Sequence, residues 1–102
     1  MTKIHSSRYR VSSDHPSLVG HFPGDPIVPG VVLLNHVQSI LLNWQPDYRI
    51  VGLQQAKFLA PLRPNQECRV TLTEKPVNKV KFECTVGNER VATGLIHVEK
   101  RQ

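Results

Sequence analysis

From Leu33 to Trp44 the apolar positions recur three and four residues apart. On a wheel of about 100° per residue, Leu33, Leu34, Val37, Ile40, Leu41 and Trp44 gather on one face and Asn35, His36, Gln38, Ser39 and Asn43 on the other. This predicts an amphipathic helix that starts just after Gly30 and ends before Gln45-Pro46-Asp47, because proline cannot continue the helical ladder. Elsewhere the period is two. Lys3 to Val11 reads as a first strand with Ile4, Tyr9 and Val11 inward, and Arg49 to Leu59 as a long second one. Glu67 to Glu74 alternates with Val70 and Leu72 on one face, and Val80, Phe82, Cys84 and Val86 do the same in the next strand. Gly87-Asn88 supplies hairpin chemistry before a last strand, Arg90 to Glu99, while Asp14 to Gly20 is a loop and Pro61 to Asn65 a turn. One helix followed by antiparallel strands gives an α+β domain with the sheet wrapped around a central helix, and residues 1–102 are expected to form a single domain.

Composition narrows this picture little. With 39% hydrophobic and 21% charged residues the chain is ordinary for a globular domain, and 102 residues suffice for one core but not for a second, cofactor-binding module. No apolar run approaches a membrane span, and the opening residues Met1 to His5 lack the apolar region of a signal peptide, so the cytoplasm is the expected location. Cys68 and Cys84 have neither CxxC spacing nor clustered histidines, which leaves reduced thiols and no structural metal site as the expectation. The net charge of +5 favours an acidic partner. Nucleic acid is not expected, because the basic residues are scattered and few aromatics are present to stack on bases. An anionic surface or an acidic protein fits the charge at least as well, against the plain alternative of a solvated basic surface.

Between the first strand and the helix stands His21-Phe22-Pro23-Gly24-Asp25-Pro26-Ile27-Val28-Pro29-Gly30. Pro23, Pro26 and Pro29 exclude helix and central strand, so this is a shaped loop that carries an imidazole to the start of a helix. The helix N-terminus at Gly30 offers unpaired N–H groups and a positive dipole end, and glycine leaves room for an approaching carbonyl oxygen, the ingredients of an oxyanion site. A histidine in a Pro/Gly loop ordinarily only hydrogen-bonds locally; what changes the reading of His21 is the motif around it. His36 is adjacent to Asn35 but about 100° further round the helix and is read as structural, and His5, His15 and His97 as surface or packing residues. Asp25 before Pro26 braces the turn, and Ser39 lacks a base that would make it a nucleophile.

The run HFPGDPIVPG, with Gly20 before it and an apolar helix behind it, resembles the active-site segment of the bacterial 3-hydroxyacyl-acyl-carrier-protein dehydratases, which have the hotdog fold. Ala56 to Asn65 resembles the strand and turn that follow the helix in that family, and the resemblance spans most of the chain. It implies that His21 removes an α-proton and that the Gly30 N–H polarises a thioester carbonyl, with Phe22, Pro29, Val31, Ser39 and Phe58 lining the substrate site. Counting along the motif, the family's acid stands where this chain has Asn35, and its glutamine, one turn later, where this chain has Ser39. An amide cannot donate a proton as an acid does, but it can orient a water or a substrate hydroxyl. The resemblance further implies a homodimer or higher assembly in which two sheets join edge to edge and each site draws on both subunits, with acyl carrier protein as partner and no metal or redox cofactor. Two other readings stay open: a hotdog thioesterase in which His21 and Asn35 position water, and a non-catalytic carrier-binding or heterodimer-forming subunit.

Overall fold

The computed structural model describes residues 3–12 and 27–101. Their elements run β1 (Ile4–Tyr9), α1 (Gly30–Trp44), β2 (Tyr48–Phe58), β3 (Cys68–Lys75), β4 (Lys79–Val86) and β5 (Glu89–Lys100). The strands form one antiparallel sheet of order β1-β3-β4-β5-β2, so the strand that follows the helix closes the far edge rather than pairing with its sequence neighbours. The expected helix and strands all form within a residue or two of their predicted ends. Pro29 is the helix N-cap, with its carbonyl accepting from the N–H groups of Val32 and Leu33, and Pro46 follows the C-cap Gln45. This helix is too short to cross a membrane, and no other is present among the described residues.

Leu33, Val37 and Leu41 form a one-in-four stripe buried against Val70, Leu72, Val80, Phe82, Ile96 and Val98 of the sheet. Each such side chain contributes roughly 1.5–3 kcal/mol relative to remaining exposed. Leu34, Ile40 and Trp44, expected on the same face, flank this stripe and are only partly buried. In β1 the expectation for Ile4 is overturned: it is 63% exposed, because the strand's period of two puts it on the opposite face from Tyr9 and Val11. His5 takes the inward place and stacks on Trp44, with ring centroids 5.3 Å apart.

Irregularities in the ladders shape the sheet. β2 carries an extra residue at Val51 and another at Gln54 relative to β5, and β5 carries one at Val91 relative to β4. Bulges of this kind bend a strand and increase its twist, which lets a flat ladder curl around the helix. Gly94 marks the tightest point: a Cβ there would lie 2.3 Å from the Gln55 carbonyl oxygen and 2.5 Å from the Phe82 ring. At the opposite end of the sheet, Tyr48 donates a hydrogen bond to Glu74. Burial and then that carboxylate push the Tyr48 hydroxyl up to about 12, so the contact persists through ordinary pH.

Candidate active site

The chain entering the helix is tied to the segment leaving β2. Val28 N–H donates to the Leu62 carbonyl at 2.7 Å, and both residues are buried. After Phe58 the backbone turns onto the bulge of β5, where the Leu59 and Ala60 N–H groups both donate to the Val91 carbonyl, at 2.8 and 3.2 Å. Between these two attachments lies an apolar cavity of about 460 Å³, in the size range of small-ligand sites, bounded by Val28, Gly30, Leu33, Phe58, Leu62 and Val91 among others. Gly30 has a specific reason to be glycine. A Cβ there would sit 2.8 Å from the tip of the Phe58 ring, so the bare backbone is what allows the ring to lie across the start of the helix.

An α-helix leaves its first N–H groups without intrahelical acceptors, and Gly30 carries the first of them at the cavity wall. The site's wall is apolar and its built-in polarity comes from backbone, which suits an acyl thioester: a long apolar group with one carbonyl to polarise. Gly30 and Phe58, both expected from the sequence, are thus brought together. Pro29 caps the helix beside them, while Val31 is 64% exposed and turns away from the cavity. Trp44 is at the other end of the helix, stacked on His5. His21 and Phe22 lie outside the described residues.

Asn35 and Ser39 are not on this wall. They line a separate depression of about 170 Å³ with Val32 and His36, since Asn35 follows Gly30 by five residues and so stands roughly 140° round the helix. His36 shares that depression and is half-buried, its ring stacked on Tyr9 at 4.5 Å. The Tyr9 hydroxyl is buried without a hydrogen-bond partner among the described residues, and burial pushes its pKa well above that of an ordinary phenol. Both cysteines are free and fully buried, and the Cys84 thiol is pushed up by its contact with Cys68 and by burial. Protonated and enclosed, it is no nucleophile. Within one chain, then, the oxyanion-type wall and the polar helix face point in different directions.

The family model of the ApeI-like dehydratases, described as ApeI dehydratase, matches residues 2–95. The chain belongs to the ApeI-like dehydratase family. A 3-hydroxyacyl-[acyl-carrier-protein] dehydratase of Thermomicrobium roseum is 32% identical over 88 residues, which cover 78% of this chain and 57% of that protein, so the chain spans a little over half the length of this relative. The dehydratase heterocomplex ApeI:P of Xenorhabdus doucetiae superposes with a TM-score of 0.82 at 17% identity, over 96% of this chain and 93% of that one. A hot-dog-like protein of Thermanaerovibrio acidaminovorans superposes with a TM-score of 0.68 at 15% identity, over 96% and 82% of the two chains. The ApeI-like chain thus has the hotdog fold that the HFPGDPIVPG run implied, with the helix as filling and the sheet as wrapping. Sequence reasoning missed Leu62 and Val91 as cavity residues. Leu62 was visible as part of the apolar run after β2, whereas Val91 reaches the cavity only through the bulge that the alternating pattern does not announce.

Proposed function

We propose that this chain dehydrates 3-hydroxyacyl thioesters carried on acyl carrier protein, giving the enoyl thioester and water. The observation that carries the reading is the apolar cavity closed by Phe58 over Gly30, at the helix N-terminus behind the motif shared with the dehydratases. The acyl chain occupies the cavity and its thioester carbonyl accepts from the Gly30 N–H, so the negative charge that develops when the α-proton leaves is met by a donor already in place. His21, as a neutral imidazole, takes that proton; the carbon–oxygen bond then breaks and the same imidazolium returns a proton to the departing hydroxyl as water. Asn35 holds the hydroxyl, with Phe22, Pro29 and Ser39 completing the substrate environment.

The functional unit in this reading is a homodimer. Among the described residues β2 is an unpaired edge of the sheet, and Val51, Leu53, Phe58 and Leu59 on and just after it are each about half exposed. An edge with unpaired backbone and apolar side chains is a template for another strand. Joining two β2 edges would cover these residues and lets the Gly30 wall of one subunit meet the Asn35 face of the other, which accounts for their divergence within one chain. His21→Ala tests the reading: turnover falls by about 10²-fold or more while the far-UV spectrum and melting curve stay as in the parent. Undiminished turnover in that variant removes His21 from the mechanism.

A further inference from the structure

Val32, Asn35, His36 and Ser39 share one stripe of α1, and together they line the shallow depression of about 170 Å³. Val32 is apolar, and neither the amide of Asn35 nor the hydroxyl of Ser39 changes its protonation state near neutrality. His36 is the one lining side chain that can. Its burial also sets it apart: Asn35 and Ser39 are exposed, whereas His36 is half-buried where the helix meets β1.

The imidazole is held by one of its faces. Its ring lies on that of Tyr9, with 4.5 Å between centroids and 15° between planes, and Tyr9 stands opposite Cys68 in the ladder of β1 on β3. Cys68 is fully buried and so is the Tyr9 hydroxyl, which anchors this support in the core. A stacked ring gives up a face and keeps its edge, where both ring nitrogens are. Stacking on a fixed partner also removes rotamer freedom that the side chain would otherwise lose on engaging a ligand. His36 is thus a pre-oriented hydrogen-bonding group on the depression that carries Asn35, although the two side chains leave the helix about 100° apart.

We propose that His36 donates a second hydrogen bond to the departing hydroxyl of the substrate, beside the amide of Asn35. The inference rests on the dehydratase reading and on the dimer in which this helix face meets the Gly30 wall of the other subunit, and it gives a role to a residue which that reading leaves unused. As the carbon–oxygen bond breaks, negative charge collects on the oxygen, and a donor already aimed at it stabilises the transition state more than the ground state. Asn35 brings an amide N–H where a carboxylic acid would bring a proton, and the imidazole N–H adds the donor that strengthens this weaker arrangement. The proton that completes the water molecule still comes from His21. His36 keeps its own throughout.

The test uses two leaving groups and two variants. The substrates are the 3-hydroxybutyryl and 3-chlorobutyryl thioesters of acyl carrier protein, because chloride departs as a stable anion and needs no donor, whereas hydroxyl does. His36→Phe keeps an aromatic ring on Tyr9 without a donor, and His36→Gln keeps an N–H donor without the ring. The expected result for His36→Phe is a fall of about tenfold or more in kcat for loss of water, with KM within about twofold of the parent, and a change of less than about twofold in loss of chloride above the enzyme-free rate. His36→Gln loses less than His36→Phe on the hydroxyl substrate. A ring that only packs on Tyr9 gives the reverse order. Full activity of His36→Phe, an equal fall on both substrates, or a folded His36→Gln poorer than His36→Phe overturns the proposal and leaves the dehydratase reading standing. Where melting shows His36→Gln unfolded at the assay temperature, the comparison of the two substrates in His36→Phe decides alone. A parent protein that forms no enoyl thioester from the hydroxyl substrate contradicts the dehydratase reading and the proposal with it.

Discussion

Two glycines illustrate how single residues are fixed by their neighbours. Gly94 is wedged between the Gln55 carbonyl and the Phe82 ring, and the carbonyl belongs to a paired strand that cannot retreat. Gly94→Ala is expected to destabilise the fold by about 2 kcal/mol or more, read as a fall in Tm of roughly 10 °C. A melting curve unchanged from the parent contradicts the packing described. Gly30 differs, because what its Cβ would meet is the far end of the Phe58 side chain, which can move, so a change there acts on the cavity before it acts on stability. By the resemblance to the dehydratases, Asn35 stands where they carry their acid. If its amide orients the leaving hydroxyl, Asn35→Ala lowers turnover by about tenfold or more, whereas Asn35→Asp preserves it and moves the pH profile by adding a titrating group. Equal rates and profiles in all three proteins exclude Asn35 from the chemistry.

At the scale of elements, the helix and the strands β3 and β4 were legible because each has an uninterrupted period: three to four from Leu33 to Trp44, two in β3 and β4. Sheet order was not legible, since nothing in the β2 sequence says that its partner is the last strand and not the next. Bulges were invisible for a related reason. A single extra residue at Val51, Gln54 or Val91 breaks the alternation locally and reads as noise, yet the Val91 bulge is what turns that residue into a wall of the cavity. Ile4 was misread because hydrophobicity outweighed parity, and the inward place went to His5, which finds Trp44 as a stacking partner. The exposed edge of β2 carries the prediction that belongs to this scale. Val51→Lys/Leu53→Lys places charge where the second sheet would join, and sedimentation is expected to show a shift from dimer to monomer together with loss of turnover. A monomeric parent with full activity would count against the shared site.

For the whole molecule, the site was legible in part. Gly30 and Phe58 were identified from the motif and the strand that resembles the family's, and they meet across the cavity although 28 positions separate Gly30 from Phe58 in the chain. Asn35 and Ser39 were singled out by the same counting but face elsewhere, because a motif gives the spacing of residues along the chain and not the direction in which each faces. Fold, cavity and divergent helix face support one proposal, that the molecule removes water from a carrier-bound 3-hydroxyacyl chain. Mass spectrometry of the carrier after incubation with 3-hydroxyacyl substrates of several chain lengths tests it most directly. The account predicts an acyl carrier lighter by one water, with the thioester intact, for the parent protein and not for His21→Ala. Free carrier with released acid, or substrate unchanged at every chain length, would contradict it.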